Sequence, residues 1–294
     1  MHTHIGEYEK HWGHEWFAAI GSRGARGISV ADYKKMFIFN PDKYIAGMDE
    51  AGINISVILG IDATRFSPNA KTPIDYIHNF IKKYPERIMA FAGGQAVDSG
   101  GRFSIRSLDE CEKAVKEYGF KGFKLLPSYS HYYPNDKACY PFYQKAEELG
   151  IPVLLHMGTT PLNFANMEMG RPVYLDDVAM DFPDLKICAA HLAYPWTQEL
   201  YGLMRKCPNV YADISANLLR PTILAWNLVM AKDYNLMDRV MFGSEWPFVN
   251  RKNFVELCRT GINQIAEKSG WQTLSNEEIE GLLGKNAMNF LGLK

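Results

Sequence analysis

The chain has 294 residues, of which 47% are hydrophobic and 13% aromatic, so it can bury a large core, and we expect a single domain spanning residues 1–294. Its 32 basic residues are interspersed among 33 acidic ones without a basic block, which disfavours nucleic acid and anionic membranes as partners. Five scattered cysteines without a Cys-x-x-Cys pair, and apolar runs that fall short of the ~18 residues needed to span a bilayer, predict a cytoplasmic protein with free thiols.

Short apolar runs rich in branched residues recur along the chain and predict the strands of a parallel sheet, since strands covered on both faces are nearly continuously apolar. They lie at residues 53–60, 88–93, 120–126, 152–156, 186–191, 209–214 and 239–243. Segments with helical periodicity separate them, at residues 74–83, 107–118, 140–149, 173–182 and 276–283. In the segment 107–118, Ser107 is expected to cap the start of the helix, and Gly119 is expected to end it.

The alternation of strands and helices predicts an α/β fold, a (β/α)₈ TIM barrel, but only seven runs are clear and the barrel needs eight strands. The opening His2-Thr3-His4 would be the carboxyl end of a first strand that is short, or truncated with its beginning upstream of Met1. The segment after it, 7–44, has no assigned element and is expected to be an insertion whose part 12–27 covers the barrel mouth. The C-terminal segment 262–294 should be helical and pack on the outside of the barrel.

An open doubly wound sheet is the alternative architecture. It is disfavoured because no run is followed by the Gly-x-Gly-x-x-Gly that seats a dinucleotide.

Polar residues close several of the apolar runs, at the positions where barrel enzymes place their catalytic groups. They are His156, His191 and Glu245, at or just after the ends of runs; Lys124, inside its run; and His2 and His4, which would end the first strand. Residues i and i+2 of a strand point to the same side, so the first two imidazoles can converge on one point. A single histidine is more often structural, and a frayed terminus would explain the first pair alone. The joint placement favours a site for Zn²⁺, Fe²⁺ or Mn²⁺ with a position left open for water or substrate.

As a set, these stretches resemble the amidohydrolase superfamily, specifically the amidohydrolase-related branch that includes the aminocarboxymuconate-semialdehyde decarboxylase-like enzymes. The resemblance covers nearly the whole chain. It is carried by His2-Thr3-His4 and by residues 84–87 (YPER), 119–125 (GFKGFKL), 150–156 (GIPVLLH), 182–187 (FPDLKI, leading to His191) and 242–247 (FGSEWP).

By that resemblance, His2, His4 and His156 would bind one divalent metal ion per chain, with zinc expected first and manganese or iron as alternatives. His191 would orient or deprotonate the attacking group. Glu245 would be a metal ligand, a proton shuttle, or both.

The chain departs from the family pattern at two positions. An acidic residue usually precedes the His-x-His pair, where Met1 stands, and the acid after the last strand is usually Asp, where Glu245 stands. One extra methylene moves the carboxylate by roughly 1.5 Å if the backbone stays in place. Glu245 is therefore expected either to ligate from a shifted angle or to act only as a base.

Three functions fit these residues. The first is hydrolysis of a small cyclic or carbonyl compound, an amide, lactone or enol-acid, by metal-activated water, with His191 or Glu245 moving the proton. The second is non-oxidative decarboxylation of an aromatic or unsaturated acid, in which the same site delivers a proton to carbon and CO₂ departs. The third is a barrel that has lost its metal and serves as a binding or scaffold protein.

Six residues are expected to contact a small substrate that carries a carboxylate: Lys124, Arg65, Tyr129, His131, Trp196 and Trp246. The two cations would meet the carboxylate and the rings would wall a pocket for a planar ligand. Each also has a purely structural explanation. The lysine could snorkel at the barrel rim, the arginine could lie on a solvent-facing loop, and the aromatic rings could pack beneath loops. A homo-oligomer is expected, because closed symmetric oligomers are common.

Overall fold

The computed structural model describes residues 1–13, 16, 34, 35, 37 and 39–293, so most of the predicted mouth-covering part of the insertion, 14–15 and 17–27, lies outside the described residues. Parallel strands pair in chain order in one seven-stranded sheet within this part of the chain. The strands are β1 (Ser56–Leu59), β2 (Ile88–Gly94), β3 (Phe123–Leu125), β4 (Val153–Leu155), β5 (Ile187–Ala189), β6 (Val210–Asp213) and β7 (Val240–Met241). Each lies inside or within one residue of a predicted run.

Successive strand residues pack into two different cores, as the alternation of side chains requires. Ile58, Val153 and Ile187 belong to the large cluster shared with the surrounding helices. Their neighbours Leu154 and Cys188 belong to a smaller cluster in the barrel interior. Both faces of the sheet are therefore buried, which explains why the strands are apolar at almost every position.

The barrel closes through Thr3, which bridges β1 at Ile58 and the segment after β7 at Trp246. Its amide donates to the carbonyl of Val57 at 3.2 Å, and the next amide, that of His4, donates to Trp246 at 2.8 Å. We call this contact the closing seam. The predicted first strand is therefore present at the predicted place, and within the described residues it amounts to one bridging residue.

Gly243 lets the closing seam form, because a Cβ atom built there would lie 2.6 Å from Cβ of His2. Only glycine allows the two backbones to approach so closely.

Helices and turns connect the strands and cover the sheet. The α-helices are α1 (Pro41–Glu50), α2 (Ile74–Ile81), α3 (Ile105–Tyr118), α4 (Pro127–Ser130), α5 (Tyr140–Glu148), α6 (Leu175–Asp181), α7 (Thr197–Lys206), α8 (Pro221–Asp233), α9 (Arg251–Glu256), α10 (Ile262–Lys268), α11 (Asn276–Glu280) and α12 (Asn286–Leu291). Single π-turns, Leu257–Gly261 and Gly281–Lys285, join α9 to α10 and α11 to α12. Short 3₁₀ turns occupy Lys137–Cys139, Glu168–Gly170, Pro172–Tyr174, Ala190–Ala193, Asn217–Leu219 and Met237–Arg239. Within the described residues, no helix combines the length and the apolar character that crossing a bilayer requires.

Two details of the predicted helices are wrong. Helix α3 begins two residues earlier than predicted, and the Ser107 hydroxyl accepts a hydrogen bond from the amide of Gln95 at 2.8 Å instead of capping the helix. Gly119 does end this helix, in the left-handed conformation with φ 70°.

The C-terminal segment is helical as predicted, but α12 does not lie wholly on the outside of the barrel. Phe290 packs into the interior cluster beside Leu154 and Met241. The ammonium of Lys186, just before β5, donates to the carbonyls of Asn289 and Phe290 at 2.8 and 3.1 Å. Helix α12 therefore covers the amino ends of the strands, where its phenyl ring finds apolar surface to bury.

Candidate metal centre

The predicted polar residues meet at the carboxyl ends of the strands. His2 and His4 flank the bridging residue of the closing seam, His156 follows β4, His191 follows β5 and Glu245 follows β7. All four imidazoles are buried, and the side chain of Glu245 is 16% exposed. The barrel thus collects residues that are up to 243 positions apart in sequence.

His2, His4 and Glu245 converge on one point. Nε2 of His2 lies 3.2 Å from Nε2 of His4. The two carboxylate oxygens of Glu245 face these nitrogens, with Oε2 3.1 Å from His2 and Oε1 3.5 Å from His4. The longer side chain of Glu245 therefore reaches both imidazoles at once.

The outer nitrogens of the same two rings determine where their protons lie. Nδ1 of His2 is 2.7 Å from Oδ2 of Asp213, and Nδ1 of His4 is 2.9 Å from the carbonyl of Leu59. A carboxylate and a carbonyl only accept hydrogen bonds, so both Nδ1 atoms donate and both Nε2 atoms carry lone pairs. Two lone pairs and a carboxylate then face one another, an arrangement that a bound cation stabilises and that fits a divalent metal.

His156 adjoins this point through His191. Nδ1 of His156 lies 3.0 Å from Nε2 of His191, while Nε2 of His156 is buried without a hydrogen-bond partner among the described residues. The atoms that gather within 4.8 Å of one another as a possible metal-binding group belong to His2, His191 and Glu245. His191 thus lies nearer to the centre than the sequence indicated, and the ligand role of His156 stays a prediction.

Burial keeps these imidazoles in the form that binds metal. It lowers the pKa of His2 to about 3, against the opposing charges of Glu245 and Asp213. Burial also lowers the pKa of His156 well below its ordinary value and lowers the pKa of His191. The rings of His2, His156 and His191 are therefore neutral at pH 7.

The backbone around two site residues is strained. His191, Leu192 and Ala193 follow one another in the left-handed conformation with φ of 60°, 52° and 48°, and Glu245 has φ 68°. Each costs about 1–2 kcal/mol for a residue with a side chain. Such strain persists only where surrounding contacts stabilise it, and it is typical of functional sites.

Lys124 lies inside the barrel and not at its rim, which removes the alternative of a snorkelling lysine, while its contact with a substrate carboxylate stays a prediction. Its side chain is 1% exposed, it pairs in register with Gly93 and Leu154, and Nζ has no hydrogen-bond partner among the described residues. Burial lowers its pKa to about 8, although Glu245 and Asp213 oppose the shift. The barrel interior therefore holds an ammonium group in the field of two carboxylates, and none of the described residues forms a hydrogen bond with it.

Arg65 and His131 contact loop backbone. The Arg65 guanidinium donates to the carbonyls of Ser130 and His131 at 2.7 and 2.9 Å. The His131 ring stacks on Phe66 with centroids 4.0 Å apart and contacts the carbonyl of Phe164 at 2.5 Å. These contacts tie together the loops after β1, β3 and β4, and a substrate role for the two residues stays a prediction.

Of the three other aromatic residues predicted to contact substrate, Tyr129 lies beside the metal centre, whereas Trp196 and Trp246 lie away from it. The Tyr129 ring lies 4.6 Å from that of His156. The Trp196 ring faces the guanidinium of Arg171 at 5.9 Å, and Trp246 packs edge-on against Tyr44 of α1 with centroids 5.0 Å apart. Trp196 and Trp246 therefore contact outer elements instead of the imidazoles.

Sequence reasoning missed two groups of residues at the centre. One is the mouth cluster, defined here as Trp12, Trp16, Phe37, Tyr129 and Phe248. The sequence placed Trp12 and Trp16 in the segment 12–27 over the barrel mouth, but it named only Tyr129 as a residue of the pocket. The Trp12 ring packs edge-on against the His4 ring with centroids 5.7 Å apart, and the Trp16 ring stacks on Tyr129 with centroids 5.0 Å apart. The only available signal was the density of aromatic residues in the unassigned segment 7–44.

The other missed group is Asp213 and Ser215, at the end of β6. A buried polar residue closes this strand as it closes its neighbours, but the apolar Ile214 that follows Asp213 concealed the pattern.

The fold and the centre define a class of protein: a (β/α)₈ barrel that gathers buried neutral imidazoles and a carboxylate at the carboxyl ends of its strands. The chain belongs to the amidohydrolase family, whose sequence model matches residues 4–293. The predicted superfamily and its amidohydrolase-related branch are thereby confirmed.

Similar proteins include enzymes of two kinds. The gamma-resorcylate decarboxylase of Polaromonas sp. (strain JS666 / ATCC BAA-500) is 25% identical in an alignment that covers 80% of this chain and 86% of that enzyme. The crystal structure of 5-carboxyvanillate decarboxylase from Novosphingobium aromaticivorans DSM 12444, with bound manganese and 3-methoxy-4-hydroxy-5-nitrobenzoic acid, matches with a TM-score of 0.71 at 15% identity over 99% of this chain and 96% of that one.

The crystal structure of a probable 2-pyrone-4,6-dicarboxylic acid hydrolase from Acinetobacter baumannii, with citric acid bound, matches with a TM-score of 0.64 at 17% identity over 99% of this chain and 98% of that one. The structural likenesses confirm the predicted barrel fold.

Proposed function

We propose that this chain is a metal-dependent, non-oxidative decarboxylase of a hydroxylated aromatic acid. The observation that carries the proposal is the convergence of two imidazole lone pairs, on His2 and His4, with the carboxylate of Glu245. Decarboxylation is preferred because the curated relative, similar over 80% of the chain, is gamma-resorcylate decarboxylase. Decarboxylation thus replaces hydrolysis as the leading function, whereas the sequence alone favoured hydrolysis.

The metal ligands in this proposal are His2, His4 and Glu245, with His156 as the fourth residue because its Nε2 is buried and has no hydrogen-bond partner in the described part of the chain. Mixed nitrogen and oxygen donors suit Mn²⁺, Fe²⁺ and Zn²⁺. The manganese in the 5-carboxyvanillate decarboxylase structure supports Mn²⁺, while zinc is the expectation from the sequence. When bound, the ion would hold the carboxylate and the neighbouring hydroxyl of the acid.

The rings around the centre suit a planar aromatic substrate. Tyr129 lies beside His156, Trp12 lies beside His4, and both rings belong to the mouth cluster. Lys124 supplies a positive field inside the barrel, which favours an acidic substrate. We infer that the substrate is an aromatic carboxylate whose ring packs in the mouth cluster and whose charged group faces the imidazoles.

Glu245 is the proton carrier in this proposal. Burial alone would raise its pKa, but attraction to the protonated forms of His2 and His191 holds the pKa of Glu245 well below its usual range, so at neutral pH it is a carboxylate. It takes the hydroxyl proton of the bound acid and returns it to the ring carbon that carries the carboxyl group. The electron pair of the broken carbon–carbon bond stays on that carbon, and CO₂ leaves.

His191 is less suited to move a proton. Its Nδ1 lies 2.8 Å from Oγ of Ser215 and its Nε2 lies 3.0 Å from His156, so both ring nitrogens are already occupied. We assign it to holding the neighbouring imidazole in place.

Hydrolysis of a lactone or amide is the second candidate, supported by the structural likeness to the probable 2-pyrone-4,6-dicarboxylic acid hydrolase. The same donor set and the same Glu245 carboxylate would serve it. The scaffold alternative is disfavoured, because Glu245 still reaches both His2 and His4.

The test supplies the purified protein, with and without Mn²⁺ or Zn²⁺, with dihydroxybenzoates, 5-carboxyvanillate and 2-pyrone-4,6-dicarboxylate. Metal-dependent release of CO₂ from an aromatic acid is the expected result, and the metal-free protein is the control. Ring opening without CO₂ would assign hydrolysis instead. Neither product, together with less than about one tenth of an equivalent of bound metal, would assign a scaffold.

A further inference from the structure

Asp213 is a buried carboxylate that the proposed reaction does not use. Its side chain is 0% exposed. Oδ2 faces Nδ1 of His2 at 2.7 Å, whereas Oδ1 faces three donors: the amide of His191 at 3.1 Å, the amide of Ser215 at 2.9 Å and the Ser215 hydroxyl. A carboxylate with this many donors holds its negative charge inside the barrel at low cost.

The Ser215 hydroxyl extends this network to a second imidazole. Its single proton lies toward Asp213, so Oγ can only accept from Nδ1 of His191, 2.8 Å away. The carbonyl of Ser215, 3.3 Å from the same nitrogen, also only accepts. Nδ1 of His191 is therefore protonated and its Nε2 carries a lone pair.

The proton position on His156 follows from that on His191. Since Nε2 of His191 accepts, Nδ1 of His156 must donate across the 3.0 Å that separates them. Nε2 of His156, buried and without a partner among the described residues, is then left with its lone pair. These proton positions satisfy the hydrogen bonds that link Asp213, Ser215, His191 and Nδ1 of His156, and they leave Nε2 unprotonated in both His2 and His156.

We propose that Asp213, with Ser215, is a positioning residue that sets the imidazole tautomers of the metal centre: directly in His2, and through His191 in His156. The inference rests on the metal centre of the proposed function. His4 is independent of this network, because the Leu59 carbonyl holds its Nδ1 proton.

Asp213→Asn tests this proposal because an amide has only one oxygen, so it cannot accept hydrogen bonds both from His2 and from the donors that face Oδ1. Three donors face Oδ1, so the amide oxygen must occupy that position and the NH₂ group must face Nδ1 of His2. Nδ1 then becomes an acceptor, the His2 proton moves to Nε2, and the lone pair meant for the metal is lost.

The experiment measures tautomers and metal affinity separately. Long-range ¹H–¹⁵N correlation spectra of the metal-free protein at about pH 8, above the ordinary pKa of histidine, report which ring nitrogen is protonated. The eight histidines are assigned through single His→Gln variants of the four that lie outside the centre. Affinity is measured by titration with Mn²⁺, read by electron paramagnetic resonance of the free ion.

In the wild type we expect the Nδ1–H tautomer at His2, His4, His156 and His191, and binding of one Mn²⁺. In Asp213→Asn we expect His2 to switch to Nε2–H, His4 to stay unchanged, and Mn²⁺ affinity to fall about 10- to 100-fold. Asp62→Asn is the matched control. It removes another buried carboxylate, one that accepts from Thr64 and pairs with Lys71, and it should leave both readouts unchanged.

An Nε2–H tautomer at His2 in the wild type would overturn the inference even if Asp213→Asn does not fold. So would a folded Asp213→Asn whose His2 tautomer, or whose Mn²⁺ affinity to within about twofold, matches the wild type. A wild type that shows the expected tautomers but binds no Mn²⁺ would instead refute the proposed function. The two failures are therefore distinguishable.

Discussion

The two ends of the barrel are built from opposite chemistry. The amino end is closed by Phe290 of α12, which packs on Leu154 and Met241 in an apolar cluster. The carboxyl end buries imidazoles and carboxylates, and places His191 and Glu245 in the left-handed conformation. Apolar packing at one end thus stabilises the fold while the other end holds strained, polar groups, which is the division of labour typical of such barrels.

The largest expected effect lies at the amino end. Phe290→Ala removes a ring that is 1% exposed and should lower the free energy of unfolding by about 3–5 kcal/mol, because it leaves a cavity among packed residues. Chemical denaturation measures this loss. Mn²⁺ affinity should not change, and a parallel loss of affinity would show that the two ends are not independent.

Acidification should destabilise the carboxyl end of the metal-free protein. The folded-state pKa of His2 is lowered to about 3, so as the pH falls below about 6.5 the unfolded chain binds the proton first. The contribution of this ring to the free energy of unfolding is therefore complete above about pH 6.5 and is lost as the pH falls. The loss is about 1.4 kcal/mol per pH unit, or about 2 kcal/mol between pH 6.5 and pH 5.

Denaturation of the metal-free protein at several pH values measures this slope. The lowered pKa values of Asp213 and Glu245 add a further loss only below about pH 4, where unfolded carboxylates protonate. Phe290→Ala should keep the same slope, since it removes no titratable group. A flat profile between pH 7 and pH 5 would contradict burial of neutral imidazoles.

Glu245→Asp sharpens the comparison within the carboxyl end. Shortening the side chain withdraws the carboxylate by roughly 1.5 Å from nitrogens that it now faces at 3.1 and 3.5 Å. We expect Mn²⁺ affinity to fall about tenfold and the free energy of unfolding to change by less than about 1 kcal/mol. Unchanged affinity would show that Glu245 is not a ligand and leave it as a base only.

The smallest expected effect is at Lys124, between the two ends. Lys124→Met keeps the side-chain volume and removes a buried ammonium that has no hydrogen-bond partner among residues 1–13, 16, 34, 35, 37 and 39–293, so the free energy of unfolding should rise by about 1 kcal/mol. If the lysine attracts the substrate carboxylate, KM for the aromatic acid should rise in the same variant. A more stable variant with unchanged KM would leave Lys124 without a role in substrate binding.

Much of the barrel was predictable from the sequence, because each strand is buried on both faces and so reads as a continuous apolar run. His156 and Glu245 could be placed at strand ends for the same reason, since a polar residue that closes such a run stands out, whereas His2 and His4 were placed by their spacing and by the family resemblance. Contacts between distant loops were not predictable. Arg65 is an example, because no local pattern indicates that the carbonyls of 130–131 will accept its hydrogen bonds.

The error at Ser107 has a similar cause. Its position fits a helix cap, but the amide of Gln95, which comes from another element, competes for the hydroxyl. Asp213 was missed because two of its partners, His2 and the amide of His191, come from distant parts of the chain and reach it only in the folded barrel.

The closing seam has a consequence for dynamics. His2 and His4 are at once proposed ligands and the neighbours of Thr3, whose backbone completes the ring of strands. Occupancy of the centre and integrity of the ring are therefore thermodynamically linked, so that a bound ion stabilises the closed ring by mass action. Amide hydrogen exchange at Thr3, His4 and Glu245 should accordingly slow when the ion is added, ahead of any change elsewhere in the barrel.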